Sequence, residues 1–436
     1  MYVACYYYYP TLVLLCLLLS AGNIHAQASE AYLKNLAFEE PDQKKVRIHF
    51  KKVNNLIVIP VQINGTDSLN FILDSGVGYP LLSSKAEAAR MGVNMKRLRH
   101  IVIRGLGEEG DLDAFHSWGN IIRLPGGVMG VNQDMLFPDR DIYHLSENMG
   151  MQIHGVIGYN VFADFVVEVD YLNSVLTLYA PDYFARRMRK RRKRKSTVIP
   201  IKIEGRKCFV YVSIKGTEEH LKNLKLLVDT GASGAITLFE NSSLEIDAPE
   251  DAIETYLGVG LSGDMYGKLV QKQELQLAKY SLRKPVVVYP KEEAVRGVML
   301  DTARNGSIGG EVLRRFRVTF DYANGEMYLR ANSDFKDVFY YNLSGMDIRT
   351  PIPGFPFYEV SKVRKKSPAS MAGIRQGDRI ISINGVDAVH FSYDQILEML
   401  HKRKGHVLSM VVEKPTGIHK ARIKLVDPFD KKNGEN

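Results

Sequence analysis

The chain has 436 residues, 45% of them apolar and 25% charged, enough for about three domains of ordinary size. That balance excludes wholesale disorder, a collagen-like repeat and a polytopic membrane protein. The formal charge is +9, but Arg186 to Lys195 holds nine basic residues in ten, so the remainder is neutral. A basic nucleic-acid-binding face spread over the folded domains is thereby excluded.

Thr11 to Leu19 is an apolar run, and Ala26-Gln27-Ala28 is a small-x-small cleavage signal. Together they predict an export leader at 1–28 and a periplasmic or cell-surface address. The run is shorter than the roughly 20 apolar residues a spanning helix needs. Two of the three cysteines, Cys5 and Cys16, leave with that leader. Cys208 then has no partner for an internal disulfide and is expected to pack as a small hydrophobe.

From residue 58 onward the chain repeats itself. Val58–Ile63 (VIPVQI) returns as Val198–Ile203 (VIPIKI), and Phe71–Gly76 (FILDSG) as Leu226–Gly231 (LLVDTG). The glycine block GLGEEGD at 105–111 returns as GVGLSGD at 258–264. Gly155-Val156-Ile157-Gly158 returns as Gly306-Ser307-Ile308-Gly309, and FVVEVDY at 165–171 as FRVTFDY at 316–322. The last four blocks recur at an offset of 151 to 155 residues, which means a duplicated domain. Each copy is mostly strand: β-branched and aromatic runs bounded by Gly, Asn and Asp, with Asn64-Gly65 and Asn324-Gly325 as hairpin turns. The copies span 29–180 and 198–332. The stretch 181–197 between them lacks apolar spacing and is expected to be a solvated basic linker, able to meet an anionic membrane surface.

A second linker is expected over 333–350, before the Pro- and Gly-rich Thr350–Pro356 that opens a third domain at 351–430. That domain carries strand-like Phe357–Val363, Ser367-Pro368-Ala369, Gly377-Asp378-Arg379-Ile380 and Ile383-Asn384-Gly385. An amphipathic helix is predicted over Ser392–Lys402, with Ile396, Leu397 and Leu400 on one face and Ser392 and Gln395 at capping-box spacing.

Asp74-Ser75-Gly76 and Asp229-Thr230-Gly231 are the only D-[ST]-G triplets, where chance predicts roughly 0.2. Each follows three apolar residues, and they hold matching places in the repeat. Taken singly, each is an ordinary Asx-type turn after a strand. As a pair, they bring one carboxylate from each half face to face. Two carboxylates in one site cannot both ionise, so one keeps a proton while the other is anionic. The anion can activate a water and the acid can donate to the carbonyl under attack. Ser75 and Thr230 are expected to brace the loops across the seam, and Gly76 and Gly231 to permit the tight turns.

The two halves resemble retropepsin-type aspartic proteases, fused in tandem as in the two lobes of pepsin. The resemblance covers about residues 45 to 330 and rests on three motifs that recur twice in order. It implies a mainly β fold of two retropepsin-like β-barrel lobes with Asp74 and Asp229 as the catalytic dyad. It further implies supporting loops at Ile157, Gly158, Ile308 and Gly309, and an extended substrate in the cleft. One departure is Val77, where the family has Ala or Ser. Gly105, Gly107 and Gly110, with Gly258, Gly260 and Gly263, fit flexible flap hairpins better than a dinucleotide loop, because no helical pattern follows either block.

The third region resembles a small α+β PDZ domain of the type found beside bacterial proteases. That implies peptide capture by strand addition, with Gly354, Phe355 and Phe357 near the carboxylate-binding loop. The expectation is an exported aspartic endopeptidase, active as a monomer on protein or peptide substrates, with no metal or organic cofactor. The competing expectation, favoured by Val77, is a catalytically inactive peptide-binding scaffold of the same fold.

Overall fold

The computed structural model describes residues 36–139, 144–191, 196–216, 219–301, 303–401 and 403–430. The expected leader at 1–28 and residues 192–195 of the basic tract lie outside the described residues. No helix among those described is long and apolar enough to cross a membrane. The described residues are mainly β and form four sheets.

The first sheet collects nine strands between Ala37 and Ile157. Its centre is an apolar run with little polar relief: Ile57, Val58, Ile59, Val61 and Ile63 of strand Leu56–Ile63 are all buried, as in a strand covered on both faces. The expected Asn64-Gly65 turn joins this strand to Leu69–Leu73 in antiparallel register. Both turn residues have positive φ, +50° and +84°, the type I′ pattern that Asn-Gly favours. Strand Gly155–Ile157 slots between Leu69–Leu73, to which it runs parallel, and Leu81–Leu82, to which it runs antiparallel. A sheet of ten strands between Lys202 and Ile308 repeats this arrangement. There Gly306–Ile308 lies parallel to His220–Val228 and antiparallel to Ile236–Leu238.

A six-stranded sheet joins the two halves. Its central pair is Val166–Asp170 against Phe316–Asp321, antiparallel, with Val167 opposite Phe320 and Val169 opposite Val318. All four side chains are buried. Burial on this scale, at about 25 cal/mol per Å² of apolar area, fixes the halves against each other.

Two expected linkers are largely structured. Pro181–Arg191 is a helix, not solvated coil. Pro181 suits a first helical turn, and Phe184 is buried against Tyr179 and Tyr328, an anchor outweighed in the sequence by the neighbouring charges. Within 333–350, Met346–Arg349 is a strand of the fourth sheet, paired antiparallel with Glu359–Val363. The core of the third domain therefore begins at Leu343 rather than 351. Its helix, Tyr393–His401, buries Ile396, Leu397 and Leu400 as the pattern predicts. The capping box forms, Ser392 N donating to Gln395 Oε1 at 2.7 Å and Gln395 N to Ser392 Oγ at 3.3 Å.

Between the second half and the third domain stands Arg315, fully buried. It donates to Glu311 Oε1 at 2.8 Å and to the carbonyls of Glu311 and Asp334 at 2.9 and 3.2 Å. Its guanidinium lies 3.6 Å from the centre of the Phe339 ring. Arg315→Ala strands several buried acceptors, so a loss of about 3 to 5 kcal/mol in unfolding free energy is expected, read by denaturant titration.

Candidate active site

Leu73 and Val228 end strands that deliver Asp74 and Asp229 into tight loops. Each loop hangs from the strand beside it. Asp74 N donates to Ile157 O at 2.8 Å and Asp229 N to Ile308 O at 2.9 Å. The glycines that follow these supports leave no room for a side chain. A Cβ on Gly158 would stand 1.9 Å from Asp74 O, and one on Gly309 would stand 2.4 Å from Gly234 O.

The two loops meet across the seam. Ser75 N donates to Thr230 Oγ1 at 2.9 Å and Thr230 N to Ser75 Oγ at 3.1 Å. Each hydroxyl then donates across to the other half, Ser75 Oγ to Val228 O at 2.6 Å and Thr230 Oγ1 to Leu73 O at 2.8 Å. Both residues are fully buried, and every polar atom in this four-bond ring has a partner. Gly76 N and Gly231 N donate to Oδ1 of Asp74 and Asp229 at 2.6 and 2.9 Å. A Cβ on Gly231 would lie 2.3 Å from Asp74 Cγ, so only glycine lets the second loop approach the first carboxyl.

The carboxyl groups of Asp74 and Asp229 face one another: a Cβ on Gly76 would stand 3.1 Å from Asp74 Oδ1 and 3.5 Å from Asp229 Oδ1. Burial, together with the Asp229 charge, holds Asp74 well above the usual carboxylate range. Burial also raises Asp229, but the nearby Arg304 charge and the hydrogen bond from Gly231 N oppose it. Both carboxyls are thus held above the ordinary range, and the Arg304 charge favours the ionised form on the Asp229 side. Arg304 carries no motif that could have marked it. It is almost buried, its guanidinium 5.3 Å from the centre of the Phe239 ring. The first half has the apolar Ile153 at the matching place, so the cation makes the pair unequal. Tyr171 and Tyr322 are buried at matching places of the two halves and carry no motif that marks them. Tyr171 feels the Asp229 charge and Tyr322 that of Asp74.

Val77 repeats the backbone role of Ala232. Val77 O accepts from Tyr159 N at 3.0 Å, as Ala232 O accepts from Gly310 N at 2.6 Å. Its side chain packs with a cluster that includes Val58, Ile72, Leu81 and Leu261.

Both glycine blocks sit on hairpins. Gly105, Gly107 and Gly110 lie between antiparallel strands Arg99–Ile103 and Leu112–Leu124. Gly258, Gly260 and Gly263 flank the turn between Ile253–Gly260 and Gly263–Gln271. Strands rather than helices follow both blocks, which removes the dinucleotide arrangement. The two tips interlock: Ser262 N donates to Leu106 O at 2.8 Å, Glu109 N to Ser262 O at 2.9 Å and Glu108 N to Asp264 O at 3.1 Å. Leu261, at the second tip, belongs to the same apolar cluster as Val77, three residues beyond Asp74.

In the third domain, residues 359–414 match the PDZ domain family. The chain contains a PDZ domain. No curated protein gives a significant match to the chain. The expected ligand loop needs correction. Gly354, Phe355 and Phe357 lie in the turn after strand Met346–Arg349, with Phe355 exposed and Phe357 under the Arg379 guanidinium at 4.7 Å. The strand edge beside the helix is Met346–Arg349 itself, since Tyr393 Oη donates to Ile348 O at 2.9 Å. The segment entering that edge is 343–345.

Because the native state holds extra protons on Asp74 and Asp229, the pair contributes most stability at low pH. That contribution is lost as pH rises from the unfolded value near 4 through the raised native values. Asp74→Asn should flatten this slope and raise the neutral-pH melting temperature relative to the parent, as measured by calorimetry over a pH series.

Proposed function

We propose that the chain is an exported aspartic endopeptidase, built from two retropepsin-like β-barrel lobes that arose by internal duplication and followed by a regulatory or substrate-recruiting PDZ domain. The observation that carries this reading is the placing of the Asp74 and Asp229 carboxyls face to face beside Gly76, held by the reciprocal Ser75–Thr230 bonds. The middle sheet supports the duplication. Val167 pairs with Phe320 and Val169 with Val318, so residues at the same place in each half exchange partners about a pseudo-two-fold axis.

In this mechanism the Asp229 carboxylate takes a proton from a water lodged between the pair. The resulting hydroxide adds to the scissile carbonyl carbon, and Asp74 gives its proton to the carbonyl oxygen. The tetrahedral diol returns a proton to Asp74 as the carbonyl reforms. The leaving nitrogen receives the proton held by Asp229, and the C–N bond breaks. The two flap tips close over the extended peptide and exclude water. One chain supplies both carboxyls, so no dimer is required. Val77 keeps the backbone role that Ala232 has in the second half and packs into an apolar cluster, which favours turnover over the inactive-scaffold alternative.

The test is cleavage of a denatured protein by residues 29–436 between about pH 3 and 8. Asp74→Asn and Asp229→Asn should each lower kcat by a factor of about a hundred or more, because each removes half of the acid–base pair. Equal cleavage by the parent and both variants would sink the reading. Arg304→Met removes the charge that favours ionised Asp229, so the acid limb of the pH–rate profile should move to higher pH. An unmoved acid limb would remove Arg304 from the mechanism.

A further inference from the structure

The PDZ domain touches both halves of the chain. On the first, Thr350 N and Oγ1 donate to Glu147 O at 2.9 and 3.1 Å, and Gly354 N donates to Gly150 O at 3.4 Å. Arg349 reaches the Glu147 carboxylate at 3.5 Å. On the second, Lys362 of strand Glu359–Val363 reaches the flap hairpin. Its Nζ donates to Asp264 Oδ2 at 2.9 Å and to Tyr266 Oη at 3.0 Å. It also stands 5.1 and 5.6 Å from the ring centres of Tyr256 and Tyr266. Tyr256 Oη donates to the same Asp264 carboxylate at 3.1 Å, and Tyr341 Oη donates to Tyr256 O at 2.9 Å.

The rest of this flap is held at its two ends, with Lys291 N donating to Tyr266 O at 3.0 Å, Tyr266 N to Glu108 Oε1 at 3.3 Å and Lys268 Nζ to Glu240 Oε1 at 3.0 Å. Its base is paired through Gly267–Gln271 with strand Val286–Pro290, and its tip is bonded to the first flap. Between them it is a two-stranded ribbon, and Ile253–Gly260 has no fully buried residue. Such a ribbon is marginal by itself in water. Its middle is clasped from outside by the Tyr341 hydroxyl and by one ammonium group, Lys362, that satisfies a carboxylate, a phenol and two aromatic faces. The clasp belongs to a different domain from the flap, and that domain is seated on the first half. First flap, second flap, PDZ domain and first half therefore form a closed ring of contacts.

We propose that Lys362 is a latch: the PDZ domain holds the second flap down through this side chain, so that access to the cleft depends on where the PDZ domain sits. The proposal rests on the reading of Asp74 and Asp229 as a dyad beneath these flaps. Lys362 acts through the flap and is a positioning residue. A displacement of the PDZ domain from its Glu147 and Gly150 seat withdraws Lys362 and frees the flap, which couples events on the PDZ domain to opening.

The test is hydrogen exchange on the full chain in an Asp74→Asn background, which removes self-cleavage from the experiment. Lys362→Ala deletes a charge-assisted clasp, so amides of 253–271 should exchange about tenfold faster, with 403–425 of the PDZ domain unchanged. Lys362→Arg keeps the cation and its stacking and should restore protection. Unchanged flap exchange in Lys362→Ala would overturn the latch. A rise spread evenly over the PDZ domain would overturn it too, because Lys362 would then be a packing residue of its own domain. This readout needs no turnover. Hydrolysis is read separately, on the parent chain with Asp74 intact: flat flap exchange beside a parent that cleaves peptide removes the latch alone, whereas a responding flap beside a parent that never cleaves peptide removes the dyad reading alone.

Discussion

Four hydrogen bonds between Ser75 and Thr230 and the opposing strands hold the centre of this molecule together. Each hydroxyl accepts from the other loop's N–H and donates to a carbonyl of the opposite strand, so neither can turn without losing two bonds. Each loop is in turn tied to its own half through Ile157 and Ile308. The ring brings two carboxyl groups face to face in a place where burial penalises their charge. Such an arrangement is costly at neutral pH, and the surrounding structure must over-determine it. The fully buried network, the glycines at 76, 158, 231 and 309, and the shared middle sheet do so.

The two halves are alike in backbone and unlike in charge. The supporting strands, the tight loops and the paired tyrosines 171 and 322 recur in both. Arg304 does not, and it makes one carboxyl the better anion. In a pair with identical surroundings the proton would have no preferred home. The asymmetry extends to the flaps: the second is clasped by Lys362 and Tyr341, whereas the first is a loop that rests on its neighbour and on Ala294 O through Gly107 N.

Much of this was legible in the sequence, for a physical reason. The D-[ST]-G triplets, the Asn-Gly turns and the helix over 393–401 are local features whose backbone demands a particular residue, and repetition in order amplified the signal. The less legible features are of two kinds. Phe184 and Met346–Arg349 are single anchors hidden in stretches dominated by charge or by turn residues, so Pro181–Arg191 and the first strand of the PDZ domain passed for linkers. Arg304 and Lys362 draw their roles from partners far off in the chain, Asp229 in one case and Asp264 with Tyr266 in the other. No periodicity records such a contact. The loop at 354–357 was misplaced because proline marks a turn but does not say on which side of a strand the turn lies.

The most direct test of the account is a carbon-13 NMR titration of the aspartate carboxyls, assigned by substitution. A shared proton predicts that the Asp74 and Asp229 signals titrate together in two steps, with Asp74 far above the ordinary carboxylate range, and that Asp229→Asn changes the Asp74 curve. Two independent titrations near the usual aspartate value of about 3.9, each indifferent to replacement of the other residue, would contradict it.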